Sequence, residues 1–291
     1  MTDQRQAQAG FWDHLDELRW RLLKGVIFFA VCFVAAFALQ DELMRIATEP
    51  HRVAAGTLVE REQPLVEAME AAATEVAESR PKLAEVLRAL AEERRARCGR
   101  LVMIRYPEAF VAYLKVSFFT ALLFSLPFLV WQLWCFVRAG LYPHETRPFR
   151  LFAPVSVLLF AAGLAFGYFV LVPIGLRFLL GYGDPETLLP FITLENYLSF
   201  FWMVMLALGL VFQLPLVMVA LAIAGIVNVA GFVKARPFVV LGAFIVAALF
   251  TPPDVVTQIL LAIPILLLYE SGVLGARLLE RKSDAGDSDG A

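Results

Sequence analysis

The chain has 291 residues, of which 60% are hydrophobic and 18% charged, with a mean hydropathy of +0.71. A soluble domain of this length does not need that much apolar sequence, and runs of about 18 or more apolar residues mark membrane spans, so a soluble protein is excluded. The net charge of −2 says little because the charges are segregated, and an odd set of cysteines, Cys32, Cys98 and Cys135, supports neither a disulfide framework nor a zinc site.

The first apolar segment, about 22–39, follows HLDELRWRLLKG at 14–25, where Asp16, Glu17, Arg19, Arg21 and Lys24 abut lipid-grade sequence. The basic groups can snorkel; the carboxylates need another reason to be there. No small-x-small exit follows Leu39, and Asp41 and Glu42 come instead, so the run reads as a span rather than a cleaved signal. The connection 40–108 is long. Within 60–98, Leu65, Met69, Ala72 and Val76 recur at helical spacing, then Leu83, Val86, Leu87 and Leu90, and Ser79-Arg80-Pro81 starts a second helix. The pattern predicts an extracytoplasmic helical hairpin with its ends, near Val59 and Gly99, close together.

Five further apolar segments follow: about 109–137 with Pro127, 151–180 with Pro154 and Pro173, 197–227 with Pro215, 237–251, and 255–274 with Pro264. Prolines inside spans are tolerated where neighbours satisfy the freed carbonyls. The fold class expected is therefore an all-α integral membrane protein of six transmembrane helices, several proline-kinked, in a concave glove-like shape. The whole of 1–291 reads as one membrane domain, with 276–291 a disordered cytoplasmic tail. The apolar stretches between Arg236 and Pro252 and between Asp254 and Glu270 are each about 22 Å long, shorter than a hydrocarbon core of about 30 Å. Such helices either thin the bilayer beside them or stand upright between snorkelling residues.

Orientation follows from lysine and arginine in short loops. The N-terminal end carries Arg5, Arg19, Arg21 and Lys24, the 138–150 loop Arg138, Arg147 and Arg150, the 228–236 loop Lys234 and Arg236, and the tail Arg277, Arg281 and Lys282. The alternate short loops, 181–196 and 250–256, carry none. Both termini are expected on the cytoplasmic side.

No metalloprotease, serine-hydrolase or phosphate-loop motif is present, and His14, His51 and His144 fall outside the apolar segments. What remains is a set of polar residues at particular depths. Glu17 and Glu145 share the cytoplasmic side. Glu17 can pair with Arg21 one helical turn on, and Glu145 can pair with Arg147 or Arg150, or stand in water; on residue chemistry alone these readings stay open beside a binding role. Gln213, just before Pro215, can repair a carbonyl that the proline frees, or contact a partner helix or substrate. Lys115 and Arg177 lie near outer helix ends and can snorkel; Gln258, in the sixth span, fits either a structural or a binding role.

HLDELRWRL at 14–22, PEAFVAYLK at 107–115, GLYPHETR at 140–147, FGYFVLVP at 166–173, FQLP at 212–215 and TPPDVVTQILLAIPILLLYE at 251–270 resemble TatC, the six-span receptor of the twin-arginine protein translocase. The matches keep the family's order over nearly the whole chain outside 60–98. The resemblance implies that Glu17 and Glu145 recognise the paired arginines of an export signal, with Arg19 orienting Glu17 or contacting the signal backbone. It implies Pro127, Pro173, Pro215 and Asp254 as structural positions, and Gln213 and Gln258 as intramembrane polar contacts. It further implies TatA- and TatB-type single-span partners, self-association in a lipid-embedded complex, transport driven by the proton-motive force, and neither enzymatic chemistry, cofactor, metal nor nucleic acid. Three departures stand out: Gln213 where the family often has glutamate, Ala139 where a proline usually precedes GLY, and the 60–98 insert. The rival reading is a self-contained secondary transporter with Gln213, Gln258 and Lys115 lining a solute path, although the internal repeats expected of one are not seen.

Overall fold

The computed structural model describes the backbone of residues 2–97, 99–139, 152–182, 192–251 and 254–288, with most side chains between Asp16 and Glu280, though not that of Glu17 or those of 136–139. In chain order the helices are α1 (Thr2–Ala38), α2 (Gln40–Glu75), α3 (Pro81–Arg97), α4 (Glu108–Ala139), α5 (Phe152–Phe166), α6 (Val172–Gly181), α7 (Leu194–Val211), α8 (Leu214–Ile223), α9 (Val229–Phe250) and α10 (Val255–Ser288). A π-helical turn, Gly167–Leu171, joins α5 to α6. Six stretches are long and apolar enough to cross a membrane: Arg19–Ala38, Glu108–Leu133, Phe152–Gly181, Leu194–Ile223, Val229–Phe250 and Val255–Leu278. The expected all-helical, six-span architecture is the one observed.

The prolines act in two ways. Pro127 and Pro264 sit inside continuous helices, whereas Pro173 and Pro215 occupy the first turns of α6 and α8. In the first turn of a helix the missing N–H is tolerated, because the N–H groups there have no partner within that helix. The third and fourth spans are each therefore built from two helices.

The α7 helix is the centre of the molecule: Tyr197, Leu198, Phe201, Trp202, Val204, Met205 and Leu208 are all buried. It crosses α5 at close range. A Cβ on Gly163 would lie 2.7 Å from the Leu208 carbonyl oxygen, and one on Gly209 would lie 2.6 Å from Phe160 Cε2. In lipid, where there is no hydrophobic drive between helices, this small-residue approach supplies the packing. Outermost, α1 leans mainly on α4, and Trp20, Val26, Ile27, Val31 and Val34 are exposed to the bilayer.

The hairpin forms, with α3 starting at Pro81 as its sequence predicts, but its first arm reaches back to Gln40. Its seam also differs from the leucine pattern. Val66 and Ala73 of α2 and Ala84 and Ala91 of α3 are buried where the two arms pack, while Leu65, Leu83, Val86 and Leu90 are exposed. Alanines let two helices approach more closely than leucines do, and periodicity alone cannot tell the two stripes apart. The ends meet as expected: a Cβ on Gly99 would be 3.0 Å from Ala55 Cβ and 3.8 Å from Val59 Cγ2, and Gly99 itself has φ +70°. That left-handed conformation favours glycine.

Two expectations change at the C-terminal end. Arg236 and Glu270, which bounded the two short apolar stretches, form one ion pair at 2.6 Å between α9 and α10, and both helices run past it. The helices are not short; at 22 and 34 residues they exceed about 30 Å. Nor is 276–291 disordered from its start. The helix continues to Ser288, Ala276 is buried, and Glu280 Oε1 accepts from Val229 N at 2.9 Å, capping α9.

Candidate functional site

The approach to the first span is fixed by aromatic packing. Phe28 meets Phe128 at a centroid distance of 4.5 Å and Phe29 meets Phe118 at 5.5 Å, side by side along α1 and α4. Gly25 lets the pair close up, since a Cβ there would lie 2.3 Å from Leu129 Cδ2. About one turn nearer the N-terminus, Arg21 Nη1 reaches Gln132 Oε1 at 3.4 Å. The start of α1, which carries Glu17 with Asp16 and Arg19 exposed beside it, is thus held against the last turns of α4. The chain leaves the described residues at Ala139 on its way to Glu145; Glu145, the GLYPHETR stretch and the side chain of Glu17 lie outside them.

Gln213 is buried and bonded twice to one residue of another helix. Ser156 Oγ donates to Gln213 Oε1 at 2.7 Å, and Gln213 Nε2 donates to the Ser156 carbonyl at 3.0 Å. The carbonyl that Pro215 leaves without a helical donor is that of Val211, so Gln213 joins α5 to the α7–α8 break rather than repairing it. Gln258 is likewise committed, with Nε2 donating to the Phe244 carbonyl at 3.0 Å across α10 and α9. Asp254 caps α10: Oδ1 accepts from Thr257 N at 2.7 Å and Oδ2 from Thr257 Oγ1. A carboxylate at this position satisfies a free N–H and faces the positive end of the helix dipole.

Several polar contacts were not foreseen. Pro50 inside α2 leaves the Ile46 carbonyl without its helical donor. Tyr168 Oη donates to that carbonyl at 2.9 Å, and Tyr197 Oη donates to the next, Ala47. An internal proline in a buried helix was the available signal. His51, the residue after Pro50, is 3% exposed and meets the Gly99 carbonyl through Nε2 at 3.1 Å; Nδ1 has no partner among the described residues. Burial pushes its pKa below the ordinary value of 6.5, and the Gly99 carbonyl offsets part of that effect. Glu108, within PEAFVAYLK, accepts from the backbone N–H groups of Ile104 at 2.6 Å, Arg105 at 3.1 Å and Glu195 at 3.2 Å. One carboxylate thereby ties the start of α4 to the start of α7, beside a parallel bridge between Val102 and Thr193. Lys115 pairs with Glu195 at 3.4 Å. No cluster with the make-up of a metal site occurs among the described residues.

Similar proteins agree with this architecture. The family described as Sec-independent protein translocase protein (TatC) matches residues 13–264. A protein of that name from Desulforapulum autotrophicum is 33% identical over 98% of this chain and 91% of its own length. Those from Campylobacter jejuni and Aquifex aeolicus are 33% and 30% identical over 90% and 93% of this chain, and over 91% and 95% of their own lengths. A crystal structure of the twin-arginine translocase receptor TatC superposes with a TM-score of 0.68 and 28% identity, covering 91% of this chain and 98% of that one. A second, in DDM, gives 0.68 and 29% over 90% and 98%. With the matched family extending from before the first span into the sixth, this chain belongs to the TatC family of Sec-independent protein translocase proteins.

Proposed function

We propose that this chain is the signal receptor and core subunit of a twin-arginine translocase, embedded in a prokaryotic cytoplasmic membrane with both termini inside. It binds twin-arginine signal peptides with Glu17 and Glu145 and nucleates export of folded proteins driven by the proton-motive force, together with single-span TatA- and TatB-type partners and further copies of itself. It acts by binding and carries no covalent step. The observation that supports this most is the packing of the α1 entry, which carries Glu17, against the last turns of α4 at Gln132, a helix that ends six residues before Glu145. Six residues span at most about 20 Å, too few to cross a hydrocarbon core of about 30 Å, so in this proposal Glu145 serves the same face as the α1 entry.

The residue chemistry suits the task. Guanidinium is planar, always charged and presents a donor fork that fits a carboxylate bidentately, which the point charge of lysine cannot reproduce. Arg19, two residues beyond Glu17, is available to orient its carboxylate or to meet the signal backbone. The transporter reading loses ground, because its three polar residues serve three different helix pairs: Gln213 on Ser156, Gln258 on Phe244 and Lys115 on Glu195. The test is site-specific crosslinking of a twin-arginine peptide to photoprobes at Glu17 and Glu145. Crosslinks at both positions, competed by free peptide, are expected; crosslinks at neither, in a protein that remains folded, would overturn the assignment.

A further inference from the structure

PEAFVAYLK holds chemistry that signal recognition leaves unused. Glu108 and Lys115 lie at the opposite end of α4 from Gln132, on the side where the hairpin stands. Here a cleft of about 100 Å³ opens between the first turns of α4 and α7, with Arg105, Lys115 and Glu195 among its lining. Val111, partly exposed, and buried Leu198 give it apolar lining.

Two features decide what fits. The first is charge. Glu108 is consumed by three backbone N–H groups, so that carboxylate does not remain for a ligand. The ionic groups still able to meet one are two cations, Arg105 and Lys115, against one carboxylate, Glu195, whose bond to Lys115 is long at 3.4 Å. An anion of phosphate size meets both demands of volume and sign. The second is depth. Glu108 and Leu194 are the first residues of their spans, and Lys115 sits two helical turns deeper, its Nζ rising to Glu195 at the head-group level. Beside the cleft, Tyr106, Phe110 and Leu114 are exposed, a collar of the kind that settles at the membrane–water boundary.

We propose that this cleft seats the phosphate of a phospholipid head group from the leaflet on the hairpin side, held by Arg105 and Lys115, with an acyl chain running down over Val111. A free phosphate ion shares the charge but has no use for the apolar lining or the collar, so the lipid is the occupant that uses the whole site. The proposal does not depend on signal recognition, only on the chain being embedded in a membrane.

The experiment is native mass spectrometry of the full chain extracted from vesicles of phosphatidylethanolamine and phosphatidylglycerol, counting retained phospholipids. Arg105→Gln combined with Lys115→Gln is expected to lose a phospholipid that the unsubstituted chain keeps, and Lys115→Arg to keep it. Glu195→Gln separates binding from scaffolding: freeing Lys115 is expected to raise retention of phosphatidylglycerol, whereas a mere brace between α4 and α7 would lower it. Thermal unfolding of each variant identifies any that fail to fold, and Arg105→Gln is then read alone, with partial loss expected. Equal retention in all variants, lower retention in a folded Glu195→Gln protein, or displacement of the lipid by excess inorganic phosphate would overturn the proposal, the last by making this a free-anion site.

Discussion

At position 213 an amide does two jobs at once, accepting from Ser156 Oγ and donating to the Ser156 carbonyl. Leucine can do neither. Gln213→Leu is expected to cost roughly 1–3 kcal/mol, the range for leaving buried polar groups unpaired, as measured by thermal or denaturant unfolding in detergent. Gln213→Glu keeps the acceptor and, when it carries its proton, the donor as well, so it should cost less. An unfolding midpoint for Gln213→Leu equal to that of the parent would remove the structural role assigned to this pair. His51 makes a prediction with pH. The folded protein holds the imidazole neutral and below its ordinary pKa of 6.5, so the unfolded chain takes up a proton first as the pH drops. Stability contributed by His51 is therefore whole above about pH 6.5 and declines from there toward the lowered value. His51→Gln should flatten that decline between pH 7 and pH 5; an unchanged profile would mean that other groups cause it.

Helices were legible as elements and poorly legible as partners. The six spans, the start of α3 at Pro81 and the meeting of Val59 with Gly99 follow from apolar run length, proline placement and the geometry of an antiparallel hairpin. The span limits at Arg236 and Glu270 did not, because a sequence shows each charge alone and the structure shows the two neutralising one another. The tyrosines that serve the Pro50 break are more than a hundred residues away, beyond any local signal. Tyr197→Phe should lose about 1 kcal/mol of stability by removing a buried hydrogen bond to the Ala47 carbonyl, and Tyr168→Phe, which strips the more exposed Ile46 carbonyl of the donor that replaces Pro50, should lose a similar amount or less. The hairpin itself stands apart from the proposed recognition end. Replacing 60–98 by a short Gly-Ser linker should leave signal-peptide affinity unchanged, because its charges are a bilayer thickness of about 30 Å away and screening acts over about 8 Å. Thermal stability should fall, through loss of the Val66, Ala73, Ala84 and Ala91 seam. A large affinity loss in a folded linker variant would place the hairpin at the recognition site after all.

Across the whole molecule, polar chemistry divides by end. The hairpin end is cross-linked by Glu108, His51 and the two tyrosines; within the spans Gln213 is bonded to Ser156; and the other end presents the α1 entry beside the last turns of α4. A rigid far side and a presented near side are what a receptor needs if binding at one face is to leave the membrane-spanning frame undisturbed. The central claim is that two carboxylates read two guanidinium groups by geometry as well as charge. It is tested by titrating an Arg-Arg signal peptide and its Lys-Lys counterpart into the unsubstituted chain, Glu17→Ala and Glu145→Ala. Each substitution is predicted to weaken Arg-Arg binding about tenfold or more, equivalent to about 1.4 kcal/mol, and to change Lys-Lys binding far less. Equal losses for the two peptides would contradict it.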